Sequence, residues 1–393
     1  MSQDLRIGLV TKEWPPHIYG GAGVHALQLT KALIKSSKSG SQIAVDVHCF
    51  GEPREDAHAY SLPESFETLN PALQAFTTDI QIAQQLGGVD LVHSHTWYAN
   101  LAGHFASLLH GIPHVITAHS LEPDRPWKAE QLGGGYRLSS WAERTAYEGA
   151  DAIIAVSNGM KKDITRAYPS LDPSKIHTIL NGVDSELFAP TYDQSLLDRL
   201  GITGRYAIFV GRITRQKGLA HLLRAWKEVS PDIGLLIAAG SPDEPEIGNE
   251  IAELIHELQL TRTNIWWQET MLAQPELKAL LSSADLFICP SVYEPLGIVN
   301  LEAMACETAV LASRVGGIPE VVIDGVTGEL VDYNGDGSAF EKSLSQSISM
   351  LMNNPQKLSE YAKAGRKRAV ENFAWEKIAD QTQALYRSVI ANR

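Results

Sequence analysis

Ala207-Ile208-Phe209-Val210-Gly211-Arg212-Ile213-Thr214-Arg215-Gln216-Lys217-Gly218 decides the fold class. It joins a continuous apolar run to a glycine-bounded polar loop. An uninterrupted apolar run suits a strand buried on both faces, and such strands belong to parallel sheets covered by helices. The same rhythm runs upstream through Ile7 to Val10, Ala44 to Cys49, Leu91 to His93, His114 to Thr117 and Ala152 to Val156. It continues downstream through Leu235 to Ala239, Ile265 to Trp267, Leu286 to Cys289 and Val310 to Ala312. Helical patterns separate the runs, which is the order of βαβ units. Two doubly wound α/β sheets fit this series better than one very wide sheet.

Length agrees, since 393 residues at roughly 100–200 per domain make two domains. Asn181-Gly182-Val183-Asp184 is a turn signal, and Phe188-Ala189-Pro190 blocks a helix after it. A linker is therefore expected near 182–200, between an N-terminal domain over 1–185 and a C-terminal one over 186–374. The tail from Asn354 to Arg393 predicts helix with Gly365 as a mild breaker, and Lys363, Arg366, Lys367 and Arg368 as a solvated face.

Thirty-three Lys and Arg against 46 Asp and Glu give a net charge of −13, which opposes approach to nucleic acid or an anionic membrane. Cys49, Cys289 and Cys306 are far apart, so neither a disulfide framework nor a zinc site is indicated. Met1-Ser2-Gln3-Asp4 does not begin a signal peptide, and no apolar run approaches the ~18–20 residues that span a bilayer. A soluble cytoplasmic protein is expected, with no nucleic-acid partner and no stable membrane association.

Ligands of doubly wound sheets bind beyond the C-terminal strand ends, so the loops there carry the candidate chemistry. Ser291-Val292-Tyr293-Glu294-Pro295-Leu296-Gly297-Ile298-Val299-Asn300-Leu301-Glu302 follows one strand and opens a helix. Its helix start offers N–H groups to an anion, and its two carboxylates suit sugar hydroxyls. Read alone, Glu294 is equally a surface acid and Glu302 a helix-start residue. Arg212 and Lys217 could place a fork and a point charge on two phosphates, or form a solvated basic turn. Tyr19-Gly20-Gly21-Ala22-Gly23-Val24-His25 contains a Gly-x-Gly-x-x-Ala string, but Thr11 through Tyr19 separate it from its strand. It reads instead as a glycine-rich loop feeding a helix. His119 ends a strand, the favoured place for a functional histidine. His93 and His95 lack an acidic partner in pattern, so no metal site is assigned. Trp14, Trp97, Trp127 and Trp141 lie on or beside the same loops and could stack on sugars or pack the core.

Taken in order, Ala155-Val156-Ser157, Asn181-Gly182-Val183-Asp184, Gly211-Arg212 with Lys217-Gly218, the Glu294-x7-Glu302 string, Val315-Gly316-Gly317-Ile318-Pro319-Glu320 and Asp324-Gly325-Val326-Thr327-Gly328 resemble retaining glycosyltransferases of family 4. The resemblance spans nearly the whole chain. It implies the GT-B fold: two facing Rossmann-like domains with a cleft between them, the helix 375–393 returning to the first. More narrowly, Pro15-Pro16-His17-Ile18-Tyr19-Gly20, Thr117 through Lys128 and Trp141 through Tyr147 are similar to the actinobacterial-type glycogen synthase and α-maltose-1-phosphate synthase group.

That group implies ADP-glucose as donor, and glucose 1-phosphate or an α-1,4-glucan as acceptor, in glycogen biosynthesis. No cofactor or metal is implied. Carried onto this chain, Arg212 and Lys217 hold the diphosphate and Glu294 the donor-sugar hydroxyls, while Glu302 holds the ribose. Pro295, Leu296, Gly297, Ile298 and Val299 complete the donor loop. Gly20 and Gly21 lie against the donor phosphate and sugar, and His119 bonds the sugar near the reacting carbon. Trp97, Tyr98, Arg125, Lys128, Arg137 and Arg144 are acceptor candidates. The Lys-Thr-Gly-Gly-Leu of other glycogen and starch synthases is missing, so Lys12 inherits no role and long-glucan elongation is put in doubt. Another donor, UDP- or GDP-linked, with a lipid or different small acceptor is the alternative within transferases. A nucleotide-sugar epimerase is the alternative outside them, and homo-oligomer formation stays open.

Overall fold

The computed structural model describes residues 4–36, 43–125, 133–240, 242–270 and 272–393. It divides into two compact units, 1–181 with 375–393, and 182–374. In the first unit the strands are β1 (Leu5–Thr11), β2 (Ile43–Phe50), β3 (His58–Tyr60), β4 (Leu91–His95), β5 (His114–Ala118), β6 (Ala152–Ala155) and β7 (Ile176–Thr178). They form one sheet in the order β3-β2-β1-β4-β5-β6-β7, with every pairing parallel. The second unit holds β8 (Tyr206–Val210), β9 (Gly234–Ala238), β10 (Ile265–Gln268), β11 (Leu286–Cys289), β12 (Ala309–Ser313) and β13 (Glu329–Val331), ordered β10-β9-β8-β11-β12-β13 and again all parallel. Each sheet reverses its winding once, between β1 and β4 and between β8 and β11. Loops after those four strands diverge to opposite faces and leave a crevice where a ligand can sit.

Both sheets are buried because helices cover them. The helices that matter here are α1 (Gly21–Ser36), α2 (Pro71–Gln85), α3 (Trp97–His110), α4 (Gly135–Gly149), α5 (Ile298–Ala305), α6 (Pro355–Asn372) and α7 (Trp375–Ala391). Trp375, Ile378, Ala379, Leu385 and Tyr386 on α7 share one core with Leu5 and Ile7 of β1 and Leu29 and Leu33 of α1. The last helix is thus part of the first unit's hydrophobic core. None of the described helices is long and apolar enough to cross a membrane.

Three expectations change. Residues 182–200 are no free linker: Val183 N–H donates to Phe373 O at 2.8 Å, and Phe188 is buried within the second unit. The C-terminal tail is two helices broken at Phe373 and Ala374, while Gly365 sits inside α6 where its bare backbone admits Met304. The basic cluster is only partly solvated. Arg368 donates to Val321 O at 2.9 Å and Glu320 O at 2.7 Å, and Arg366 donates to Ala305 O. Strands β3, β7 and β13 are three residues each and lie at sheet edges. Half-covered edges do not demand a continuous apolar run.

Histidine fills part of the first unit's interior. His25, His93, His95 and His114 are buried, and burial holds His25 at about 4 and His114 at about 3, with His93 and His95 also well below the ordinary value. These rings are neutral when folded, whereas the unfolded chain takes up protons below about pH 6.5. Their contribution to stability is full above that value and is lost as pH falls through it toward 4. Each costs about 1.4 kcal/mol per pH unit in that window. The buried histidines make the thermal midpoint fall as pH drops below 6.5, whereas the raised carboxyls of Glu302 and Asp79 lower it as pH rises toward 8, so the midpoint is expected to peak near pH 6.5; a midpoint unchanged on going to pH 5 would refute neutral burial.

Candidate active site

In the second unit β8 and β11 are neighbours, so the two strongest motifs leave the sheet side by side. Val292 N–H donates to Gln216 O at 2.9 Å and stitches the loops together. Such an approach requires glycine at 218, where φ is +66° and a Cβ would lie 2.0 Å from Pro290 O. Lys217 Nζ then reaches Glu294 Oε2 at 2.6 Å, and Ser291 Oγ donates to the same oxygen at 3.3 Å. Burial pulls the Lys217 ammonium down, but the Glu294 carboxylate beside it and Cys289 together outweigh this and the net shift is upward. Burial pushes the Glu302 carboxyl, on α5, up to about 8, with Lys217 pulling the other way.

Arg212 is engaged too, through Nη1 to both oxygens of Asp243 at 2.7 and 3.0 Å. Asp243 was not foreseen, although it lies in the loop after β9, where strand-end chemistry is sought. Pro295, Leu296 and Gly297 form the turn into α5, Gly297 at φ +93° and Leu296 buried beneath. Ile298 and Val299 open the helix, whose first N–H groups have no intrahelical acceptor. A cavity of about 280 Å³ opens beside the cation loop, lined by Arg215, His221, Arg224, Glu250 and Tyr333 among others.

In the first unit, His95 ends β4 and His119 follows β5, with His95 Nδ1 and His119 Nε2 3.0 Å apart. His25 on α1 joins them, and ligand atoms of the three rings lie within 4.8 Å of one another. His25 Nδ1 donates to Asn181 Oδ1 at 2.7 Å, which leaves its Nε2 as a lone pair. Nε2 of His25 and of His95 are buried without a partner among the described residues. Burial also holds His119 well below its ordinary range. The trio is a neutral imidazole cluster able to donate or accept, and three such nitrogens are also a donor set that a transition metal could use. His93 is not in it, because its nitrogens pair with Tyr386 Oη at 2.6 Å and Thr117 Oγ1 at 2.7 Å.

The glycine loop is organised by a residue the motifs did not single out. Glu13 Oε2 accepts from the N–H groups of Tyr19 and Gly20, both at 2.8 Å, so the Gly20 amide is committed within the protein. Gly21 opens α1. Among the acceptor candidates, Trp97 is buried against Ala72 and Ala75 of α2 and is core rather than a sugar platform. Tyr98 is half-buried, Arg125 is partly enclosed, and Arg137 and Arg144 stand on the exposed face of α4. Trp14 is buried and Trp141 exposed, whereas Lys128 and Trp127 lie outside the described residues.

Gly316 and Gly317 act on the site through backbone. Gly317 N–H donates to Glu294 O at 3.0 Å, and a Cβ on Gly316, at φ +52°, would stand 1.9 Å from that oxygen. Gly325 has a similar φ of +72° with open space around it. Gly325→Ala should therefore cost only the left-handed penalty of about 1–2 kcal/mol in urea unfolding. Gly316→Ala should cost more, because Glu294 must also move; equal losses would show that the turn does not support Glu294.

A model of the family described as glycosyl transferases group 1 matches residues 199–368, and one described as Glycosyltransferase Family 4 matches 19–187. The chain is 50% identical to the alpha-maltose-1-phosphate synthase of Mycolicibacterium smegmatis, over 98% of this chain and 100% of that protein. Identity to the enzyme of the same name from Mycobacterium tuberculosis is 48% over the same shares. Among solved structures, sucrose-phosphate synthase from Thermosynechococcus elongatus superposes with a TM-score of 0.81 at 25% identity, covering 99% of this chain and 100% of that one. With two parallel Rossmann-like sheets and relatives matched end to end, the chain belongs to the family 4 glycosyltransferases of the GT-B fold and is an enzyme.

Proposed function

We propose that this enzyme transfers glucose from ADP-glucose to glucose 1-phosphate, giving α-maltose 1-phosphate with retention, in glycogen biosynthesis. An α-1,4-glucan is the second acceptor to be tested. The observation that carries the transferase chemistry is the Lys217–Glu294 contact, which puts the diphosphate cation and the sugar-binding carboxylate in one cluster. The acceptor is supported by the product in the names of relatives about 50% identical over the whole chain.

In this reading the diphosphate exchanges onto Lys217 and Arg212, which are held ready by Glu294 and Asp243. Both cations then stabilise the negative charge that grows as the nucleotide leaves. The bond between the anomeric carbon and the diphosphate oxygen breaks while the acceptor O4 attacks from the same face. The acceptor proton passes to the departing diphosphate oxygen, so no separate base is required. His119 bonds the donor sugar, and Glu302 accepts from the ribose. Arg212 and Lys217 supply the positive charge, and no metal is assigned.

Incubation with ADP-, UDP- and GDP-glucose against glucose 1-phosphate and glycogen, in the presence of EDTA, tests donor, acceptor and metal independence together. Mass and anomeric proton coupling of the product read the outcome. Lys217→Ala should lower kcat/KM by roughly ten- to a hundredfold, the value of one charge-assisted bond. Nucleotide release without acceptor, or turnover only with another base, would displace the proposal toward an epimerase or a different donor.

Glu302 adds a pH signature. Its carboxyl, raised to about 8 by burial, accepts from two ribose hydroxyls at full strength only when ionised, because a protonated carboxyl keeps one weaker acceptor oxygen. The donor KM should fall as pH rises through about 8, and Glu302→Gln should flatten that profile. A wild-type donor KM independent of pH across this range would remove the ribose role.

A further inference from the structure

We infer that Lys12 and Arg125, set around Tyr98 at the ends of β1, β4 and β5, form a binding subsite for a phosphate dianion in the first unit. This deepens the function proposed above and rests on it for the identity of the ligand, the phosphate of a sugar-phosphate acceptor. Strands β1, β4 and β5 are consecutive in the sheet, and β1 and β4 flank its reversal. Lys12 follows β1, Tyr98 stands in the first turn of α3 after β4, and Arg125 lies in the loop after β5. Three loops of one crevice therefore contribute one residue each.

Lys12 Nζ sits 3.8 Å from the centroid of the Tyr98 ring. Burial holds its ammonium below the ordinary range, with the charge of Glu13 opposing that. Burial pushes the Tyr98 phenol up, the charges of Glu122 and Glu13 add to that, and the Arg125 guanidinium opposes them. Among the described residues Arg125 Nη1 donates to Ser120 Oγ at 3.2 Å, and its buried Nε has no partner. Such an Nε is a buried donor that no acceptor among the described residues receives, and an unsatisfied charged donor costs more than a neutral one.

Carboxylates near the pair are already committed. Glu13 Oε2 accepts from two backbone N–H groups, Glu122 accepts from Ser139 Oγ at 2.6 Å, and Asp124 pairs with Arg166 at 2.8 Å. Among the described residues neither Lys12 nor Arg125 forms an ion pair, although acidic residues outnumber basic ones across the chain. Helix α3 adds to the field: Thr96 at its N-cap makes no side-chain cap, so the positive end of the helix dipole is presented beside Tyr98. Two cations without an ion-pair partner among the described residues, beside a helix start, favour a doubly charged anion even with Glu13 and Glu122 nearby, and a guanidinium fork suits phosphate geometry. With the Lys12 ammonium over its ring, Tyr98 positions that cation on this face rather than stacking a sugar there.

The experiment compares wild type, Lys12→Met, Arg125→Met and Lys12→Arg. With glucose 1-phosphate, each Met variant should raise the acceptor KM by roughly ten- to a hundredfold. The donor KM should stay within about twofold, and Lys12→Arg should recover part of the loss. Thermal midpoints serve as the folding control, and binding of inorganic phosphate followed by 31P NMR is a readout independent of turnover. An acceptor KM and a phosphate affinity that do not change in either Met variant would overturn the subsite. If the wild type does not use glucose 1-phosphate at all, the function proposed above fails. In that case phosphate binding lost in the variants still upholds the subsite, and phosphate binding retained overturns it.

Discussion

The contact between Lys217 and Glu294, 2.6 Å long and buried, is what the second unit is built to make. It demands that the loops after β8 and β11 run together, which only glycine at 218 permits beside the Pro290 carbonyl. It also demands that Glu294 be held from behind, which Gly317 N–H accomplishes through the Glu294 carbonyl. An ion pair withdrawn from water gains little net free energy by itself, yet removal of one partner strands a buried charge. Its value is therefore positional: a cation and a carboxylate are kept dry, fixed and mutually neutralised until a ligand exchanges with one of them.

Pairing of this kind explains why the acidic balance of the chain says so little about its chemistry. Arg212 rests on Asp243, Arg224 on Glu250, Arg205 on Asp285 and Arg314 on Asp324 and Asp332. A charge of −13 is the surplus left after such partnerships, spread over a surface. It excludes a polyanion-binding exterior and leaves room for local cationic sites at strand ends, where field lines are focused by low-dielectric walls.

Fold and donor motifs were legible because their physical causes are local. A strand buried on both faces favours an apolar run, so β1, β5, β8, β11 and β12 stand out in the sequence, while β4 is buried throughout although only Leu91 and Val92 in it are apolar. Edge strands such as His58–Tyr60 are relieved of that demand and were not visible. Glu294 and Glu302 could be placed from a strand, a turn and a helix start. The residues that meet Arg212, the glycine loop and His119 could not, since Asp243 in the second unit and Glu13 and His25 in the first arrive through the order of their own sheets and bear no spacing to the residues they serve. Arg366 and Arg368 misled for the opposite reason: a basic helical face looks solvated until the carbonyls of Ala305, Glu320 and Val321 are seen to receive it.

Thr96 shows how the first unit's site is held in place. Its φ of 67° and ψ of 158° fall in a region open chiefly to glycine, at a cost of order 1–3 kcal/mol. Immediately before it, His95 turns into the imidazole cluster; immediately after it, Trp97 enters the core between α2 and α3. Both neighbours are buried, and the burial of an indole outweighs the strain of one residue. The backbone between them has no freedom to relax. The consequence is that Tyr98, one residue further on, stacks on Trp97 at the helix start and lies half-buried under the Lys12 ammonium. A single unfavourable dihedral thus separates a buried histidine network from a half-buried cationic edge across three residues of chain, and the packing on either side keeps that separation fixed.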